Sequence, residues 1–190
     1  MSAIIKRINT HRDSCASGNP SEQVILSPME AHQQKKETMD KEQTKLSEHF
    51  TLEELCATSH KQFQQRNLEY GKTIKTRLEN LANFLEEVRV VCDSPLLITS
   101  GVRCPELNKA VGGVATSQHV TGHAADIIPQ KNGSVQDHFC KIFKSHLIYD
   151  QLILEEAKGK VWIHISYNSM LGRREALVFD GKRYKKYTGD

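Results

Sequence analysis

Between Thr73 and Val91 the apolar residues fall at Ile74, Leu78, Leu81, Leu85 and Val88, three or four positions apart, with polar residues filling the gaps. That is the repeat of a helix with one buried stripe. Upstream, Thr51 followed by Glu54 makes a capping box, and Phe50 is placed to staple against Leu55, so a helix starts there. Pro95 ends the helical pattern, and Leu96-Leu97-Ile98-Thr99-Ser100 reads as a buried strand. Gly101 to Gly113 is a loop holding a short helical piece from Glu106 to Val111, closed by a turn at Gly112-Gly113. Ala125 to Ile128 reads as a strand. Ser134 to Ser145 reads as a second helix, because Val135, Phe139 and Ile142 share a face. Tyr149 to Glu155 and Val161 to Tyr167 read as two strands joined by a turn at Lys158-Gly159. The basic run from Lys182 to Lys186 reads as a solvated edge.

Residues 1 to about 45 have almost no hydrophobic period. The run from His32 to Lys45 is either a solvated helix or disorder, since neither form buries enough to join a core. The expected organisation is a polar, flexible extension over residues 1–45 and one domain over 46–190, with its core in about 46–167. A chain of 190 residues is long enough for one such domain to bury a real core.

Charge and composition remove several classes of function. A net charge of +3 is too mild to argue for nucleic acid, and an aromatic content of 6% leaves no stacking surface for bases. No apolar run reaches the 18 residues of a membrane span, and the charges near Met1 follow the short apolar run instead of preceding it. No nucleic-acid partner, no membrane span and no signal peptide are therefore expected, and the chain is expected to be made in the cytoplasm. Cys15, Cys56, Cys92, Cys104 and Cys140 are odd in number and hold no CxxC pair. That excludes a structural zinc ribbon, argues against a disulfide framework, and predicts buried thiols in a reducing compartment.

One stretch changes the picture. Ser117-Gln118-His119-Val120-Thr121-Gly122-His123-Ala124-Ala125-Asp126 places a histidine and a carboxylate seven residues apart, and a further histidine follows in Trp162-Ile163-His164-Ile165-Ser166. Two imidazoles and one carboxylate are the ligand set of an open catalytic zinc site, which leaves a fourth position for water or substrate. Gly122, Ala124 and Ala125 let the chain turn without crowding an ion. His119, Asp126 and His164 are the expected ligands of one zinc ion, with His123 as the rival.

A zinc hydrolase also needs a base for the attacking water. If Lys158-Gly159 is a two-residue turn, Ala157 faces Lys160, Glu155 faces Trp162 and Ile153 faces His164. Glu155 then shares a sheet face with His164, and Glu156 points away; a loop of different length would reverse this. Arg103, directly after a buried strand, could grip a carboxylate or steady an oxyanion, or be a surface arginine. Ser117 could contact substrate or cap the turn that presents His119. Trp162 could pack, or wall the cleft.

With these segments in view, the chain resembles the M15 family of zinc peptidases, the D-alanyl-D-alanine carboxypeptidase and phage murein endopeptidase group. The resemblance is carried by Thr99-Ser100-Gly101-Val102-Arg103-Cys104-Pro105-Glu106-Leu107-Asn108, Val111-Gly112-Gly113, the Ser117 to Asp126 segment, Gln151 to Glu155 and Trp162 to Ser166. Leu46-Ser47-Glu48-His49-Phe50-Thr51-Leu52-Glu53-Glu54-Leu55 is similar to the family's usual lead-in. Altogether the match runs from about Leu46 to Tyr167.

The resemblance implies an α+β fold, a small antiparallel sheet flanked by helices, shared with the amino-terminal signalling domain of hedgehog proteins. It implies zinc on His119, Asp126 and His164, Arg103 engaging the substrate, and Glu155 as the base. It also implies hydrolysis of a peptide bond in bacterial peptidoglycan, by a monomer that lysis would release to the cell wall. Val161 stands where some members carry an acid, so the base must come from elsewhere, and Glu155 fits a subgroup pattern. Cys104 stands where serine is common. Two alternatives remain: a zinc-binding module of the same fold without catalysis, and a peptidase of soluble D-dipeptides.

Overall fold

The computed structural model describes residues 43–168 and 172–189. The extension expected over 1–45 lies, but for its last three residues, outside the described residues. Within those three, the Thr44 N–H donates to the Glu53 carboxylate at 2.9 Å and the Thr44 carbonyl accepts from Leu52 at 2.8 Å. The domain is thus hydrogen-bonded from Thr44 onward.

Helix α1 (Leu52–Leu55) begins where the capping signal lies. Thr51 Oγ1 accepts from the Glu54 N–H at 3.2 Å, one half of the expected box. The helix expected over Thr73 to Val91 is α3 (Lys75–Cys92), and Leu78, Leu81, Leu85 and Val88 form its buried stripe. It does not include Thr73, because the backbone leaves the helical region at Ile74. A separate helix, α2 (Gln64–Thr73), precedes that break. Its buried residues are Asn67 and Gly71, so no apolar period announces it.

Three strands follow as expected, with shifted ends. They are β1 (Leu96–Ser100), β2 (Ala124–Pro129) and, after the short helices α4 (Pro105–Ala110) and α5 (Gln118–Thr121) and the longer helix α6 (Val135–Lys144), β3 (Gln151–Ala157). Helix α6 carries a complete capping box between Ser134 and Asp137. Strand β4 (Lys160–Ser166) returns antiparallel to β3 through Lys158 (φ 52°) and Gly159 (φ 71°). Two consecutive residues in the left-handed region make the turn whose twist suits a tight hairpin, and glycine holds the second position without strain.

The sheet has the order β1-β2-β4-β3-β5-β6. Its last two strands, β5 (Glu175–Phe179) and β6 (Tyr184–Lys186), extend the domain beyond the core expected to end near 167, and the β3–β5 pairing is parallel, not antiparallel. One face carries Ala125, Ile127, Leu152, Ile163 and Ile165, all fully buried. Helix α6 packs against β2, β3 and β4, and α3 packs on α6. The result is an α+β fold with α6, and α3 packed on it, on one side of a mostly antiparallel sheet. The other face holds the chemistry. Cys56, Cys92, Cys104 and Cys140 are free thiols, and burial pushes the Cys56 thiol up to about 12. Among the described residues no helix is long and apolar enough to cross a membrane.

Candidate metal centre and active site

Paired residues on neighbouring strands share a sheet face, so the register writes out the site. Ser100 pairs with Asp126, Asp126 with His164, and His164 with Ile153. The adjacent row runs Trp162, Glu155, Phe179, Tyr184 across β4, β3, β5 and β6. A bulge between Ile98 and Ser100 resets β1 so that Ser100, and not Thr99, lies beside Asp126. The hairpin register expected from a two-residue turn is observed: Glu155 stands opposite Trp162 and Ile153 opposite His164. Glu156 lies on the other face and is exposed.

His119 comes from α5 and not from a segment leading into a strand, as its setting suggests. Its Nδ1–H donates to the Gly101 carbonyl at 2.7 Å, which turns the Nε2 lone pair toward Asp126 and His164. Gly101 is held to glycine by proximity: a Cβ there would stand 2.2 Å from the Leu55 carbonyl oxygen.

His119 Nε2 lies 3.2 Å from His164 Nδ1 and 3.2 Å from Asp126 Oδ1, and His164 Nδ1 lies 2.9 Å from the same carboxylate oxygen. Ligand atoms about 2.0–2.2 Å from a tetrahedral zinc stand roughly 3.3–3.5 Å apart, so the cluster has nearly the required size. Among the described residues these three form the one group of acidic, histidine and cysteine side chains that could hold an ion, all their ligand atoms falling within 4.8 Å of one another. Each residue is at most 9% exposed. Burial pushes the Asp126 carboxyl up, but the charge and hydrogen bond of His119, then those of His164, outweigh it and hold the group well below the ordinary carboxylate range. The residues fit a divalent cation: two imidazole nitrogens and one carboxylate oxygen converge, and the donor set suits zinc.

Arg103 is engaged by the centre itself. Its Nη2 donates to Asp126 Oδ2 at 2.9 Å and its Nε to Ser100 Oγ at 2.9 Å. The guanidinium expected at the substrate thus fixes the outer oxygen of Asp126 and leaves Oδ1 for the cluster. His123 is not part of the cluster; its Nδ1 lies 2.9 Å from Thr121 Oγ1.

A cleft of about 570 Å³ runs over β3 toward β6, lined by Ser117, Gln118, Ile153, Glu155, His164 and Tyr184 among others. Burial first, then the Asp126 charge, raises the Glu155 pKa above its ordinary value. Trp162 stands beside Glu155, and its buried indole nitrogen closes no hydrogen bond of ordinary geometry; the N–H favours the Glu155 carboxylate only as a weaker contact. Ser117 caps α5 in position, but its side chain makes no capping hydrogen bond. At the rim, Asp150 is almost fully buried, accepting from Arg173 Nε and Nη2 and from Gln118 Nε2, each at 2.7 Å. Sequence reasoning misses Asp150, Arg173 and Tyr184. The apolar run Ala176 to Phe179 is the available signal that another strand brings the last two to the site.

No curated protein matches the chain. The family model described as Peptidase M15 matches residues 48–166, more than half of the chain and the segment that carries Arg103, His119, Asp126, Glu155 and His164. The chain therefore belongs to the M15 peptidase family, a family of metallopeptidases, and the three converging ligand atoms lie within the matched segment.

Proposed function

We propose that this protein is a zinc-dependent peptidase that hydrolyses a peptide bond of bacterial peptidoglycan. The observation that carries the reading is the placement of Glu155 one row from the His119–Asp126–His164 cluster, on the same sheet face and in the same cleft as His164. The choice of substrate is supported by the run of motifs from Leu46 to Tyr167, which resembles that of murein-cutting peptidases.

His119 Nε2, Asp126 Oδ1 and His164 Nδ1 would hold the ion. Zinc in such a site polarises the scissile carbonyl and makes water acidic enough to attack near neutral pH. Glu155 accepts the proton of the attacking water and returns it to the leaving amine. A carboxyl pushed up by burial suits both directions of that transfer. Arg103 holds Asp126 in line through Oδ2. Ser117, on the cleft wall, and Trp162, opposite Glu155, would contact the substrate.

The test is mass spectrometry of purified peptidoglycan incubated with zinc-loaded protein, beside His119→Ala and Glu155→Gln. New peptide termini made by the unmutated protein alone would establish the activity and name the bond. Stoichiometric zinc without new termini would sink the reading and favour a binding module or a soluble D-dipeptide substrate.

A further inference from the structure

We propose that Tyr184 is a further residue of the reaction, one that positions the Glu155 carboxylate for proton transfer. The inference rests on the hydrolytic reading above. Its residue comes from β6, outside the segment 48–166 that matches the family model.

The register brings the two side chains together. Glu155 pairs with Phe179 and Phe179 with Tyr184, so all three lie in one row on the site face. The Tyr184 ring packs on Phe179 with centroids 4.6 Å apart and planes tilted by 31°. That stacking fixes the direction of the ring, and both Tyr184 and Glu155 line the same cleft with His164. Tyr184 is 55% exposed, in line with its place on the edge strand β6. Burial, then the charges of Glu155 and Asp126, raise its pKa, so the phenol stays protonated and remains a donor at working pH.

A glutamate has three rotatable bonds, and a base must hold a fixed position against its water to be efficient. Trp162 and Phe179 flank Glu155 along the row and restrict it sideways. Phe179 has no polar side-chain atom, and the Trp162 N–H reaches the carboxylate only as the weaker contact described above. Set in the same row and lining the same cleft, the Tyr184 O–H would donate to one carboxylate oxygen and leave the other to accept the proton of the attacking water. No bond to Tyr184 forms or breaks; it is a positioning residue.

The test compares zinc-loaded full-length protein with Tyr184→Phe, which keeps the ring on Phe179. Expected is a fall in kcat of between about 10- and 100-fold with KM within about twofold. Zinc content and Tm should stay unchanged. In parallel, the ring-carbon resonance of Tyr184, assigned by its loss in Tyr184→Phe, should move on Glu155→Gln substitution while the other tyrosines hold.

An unchanged kcat for Tyr184→Phe overturns the role. So does a Tyr184 resonance indifferent to Glu155→Gln, and so does a rise in KM alone, which would mark a contact made equally in ground and transition states. An unmutated protein that cleaves nothing would overturn the hydrolytic reading itself. That failure is distinct from an active enzyme in which Tyr184→Phe is silent.

Discussion

Arg103 Nη2 donates to Asp126 Oδ2 at 2.9 Å, while Oδ1 of the same carboxylate lies 2.9 Å from His164 Nδ1 and 3.2 Å from His119 Nε2. One carboxylate is therefore divided between a guanidinium that orients it and a cluster that would use it as a ligand. Partners of this kind outside the ligand set typically contribute about 10–100-fold in metal affinity. Arg103→Ala should weaken zinc binding by about that factor, read by competition against a chelator. Arg103→Lys should recover little, because a single ammonium cannot bond Ser100 Oγ and Asp126 Oδ2 in the same planar geometry. Full recovery by lysine would show that charge alone matters.

The Gly101 carbonyl fixes which nitrogen of His119 carries its proton. A Cβ at Gly101 would meet the Leu55 carbonyl oxygen at 2.2 Å and its carbon at 2.9 Å, backbone atoms that cannot swing aside. Gly101→Ala should cost about 1–3 kcal/mol of stability, as overpacking does. It should also weaken zinc binding, since the loop that moves is the one that orients His119. Denaturant unfolding of the metal-free protein, with zinc titration alongside, measures both. A variant with altered stability and normal zinc affinity would separate the loop from the ligand.

At the Lys158-Gly159 turn the cost is purely conformational. Gly159 has φ 71°, and a Cβ added there would find nothing within 4 Å, so Gly159→Ala meets no clash. The strain of holding alanine in the left-handed region is about 1–2 kcal/mol. Stability should fall by that amount while peptidase activity at low temperature is kept, because the register that places Glu155 survives. Loss of activity in a folded variant would mean that the hairpin had slipped.

How legible each part is in the sequence depends on how local its cause is. Glu155 is legible because a two-residue turn sets the register and a period of two then carries it along β3 and β4. The buried stripe of α3 is legible for the same reason at a longer period. Helix α2 is not, because what it buries is the Asn67 carboxamide, bonded to the carbonyls of Cys56 and Val102 and to the Cys104 N–H. His119 reads as leading into a strand, since the four residues of α5 are too few to show a helical period. The Arg103–Asp126 bond depends on the bulge in β1, and the place of Tyr184 depends on a parallel pairing of β5 with β3. Neither has a signature in neighbouring residues.

Glu155 itself couples function to stability with a definite sign. Burial, followed by the Asp126 charge, raises its pKa above the ordinary 4.5. The folded protein then holds this proton more tightly than the unfolded chain does. The stability so gained is fully present below about pH 4.5 and is lost as pH rises through the higher folded value. Glutamine carries no charge at any pH and escapes that loss. In the metal-free protein, Glu155→Gln should therefore raise Tm at pH 7 relative to the unmutated chain by more than it does at pH 4. With zinc restored, the same variant should keep its metal and lose peptidase activity by about 10²–10⁴-fold, the contribution of a positioned base. Thermal melts at the two pH values, with zinc analysis and peptide release, test both halves. Equal Tm margins at pH 7 and pH 4 would show that the carboxylate is not held at a cost. Retained activity would assign the proton transfer to another group.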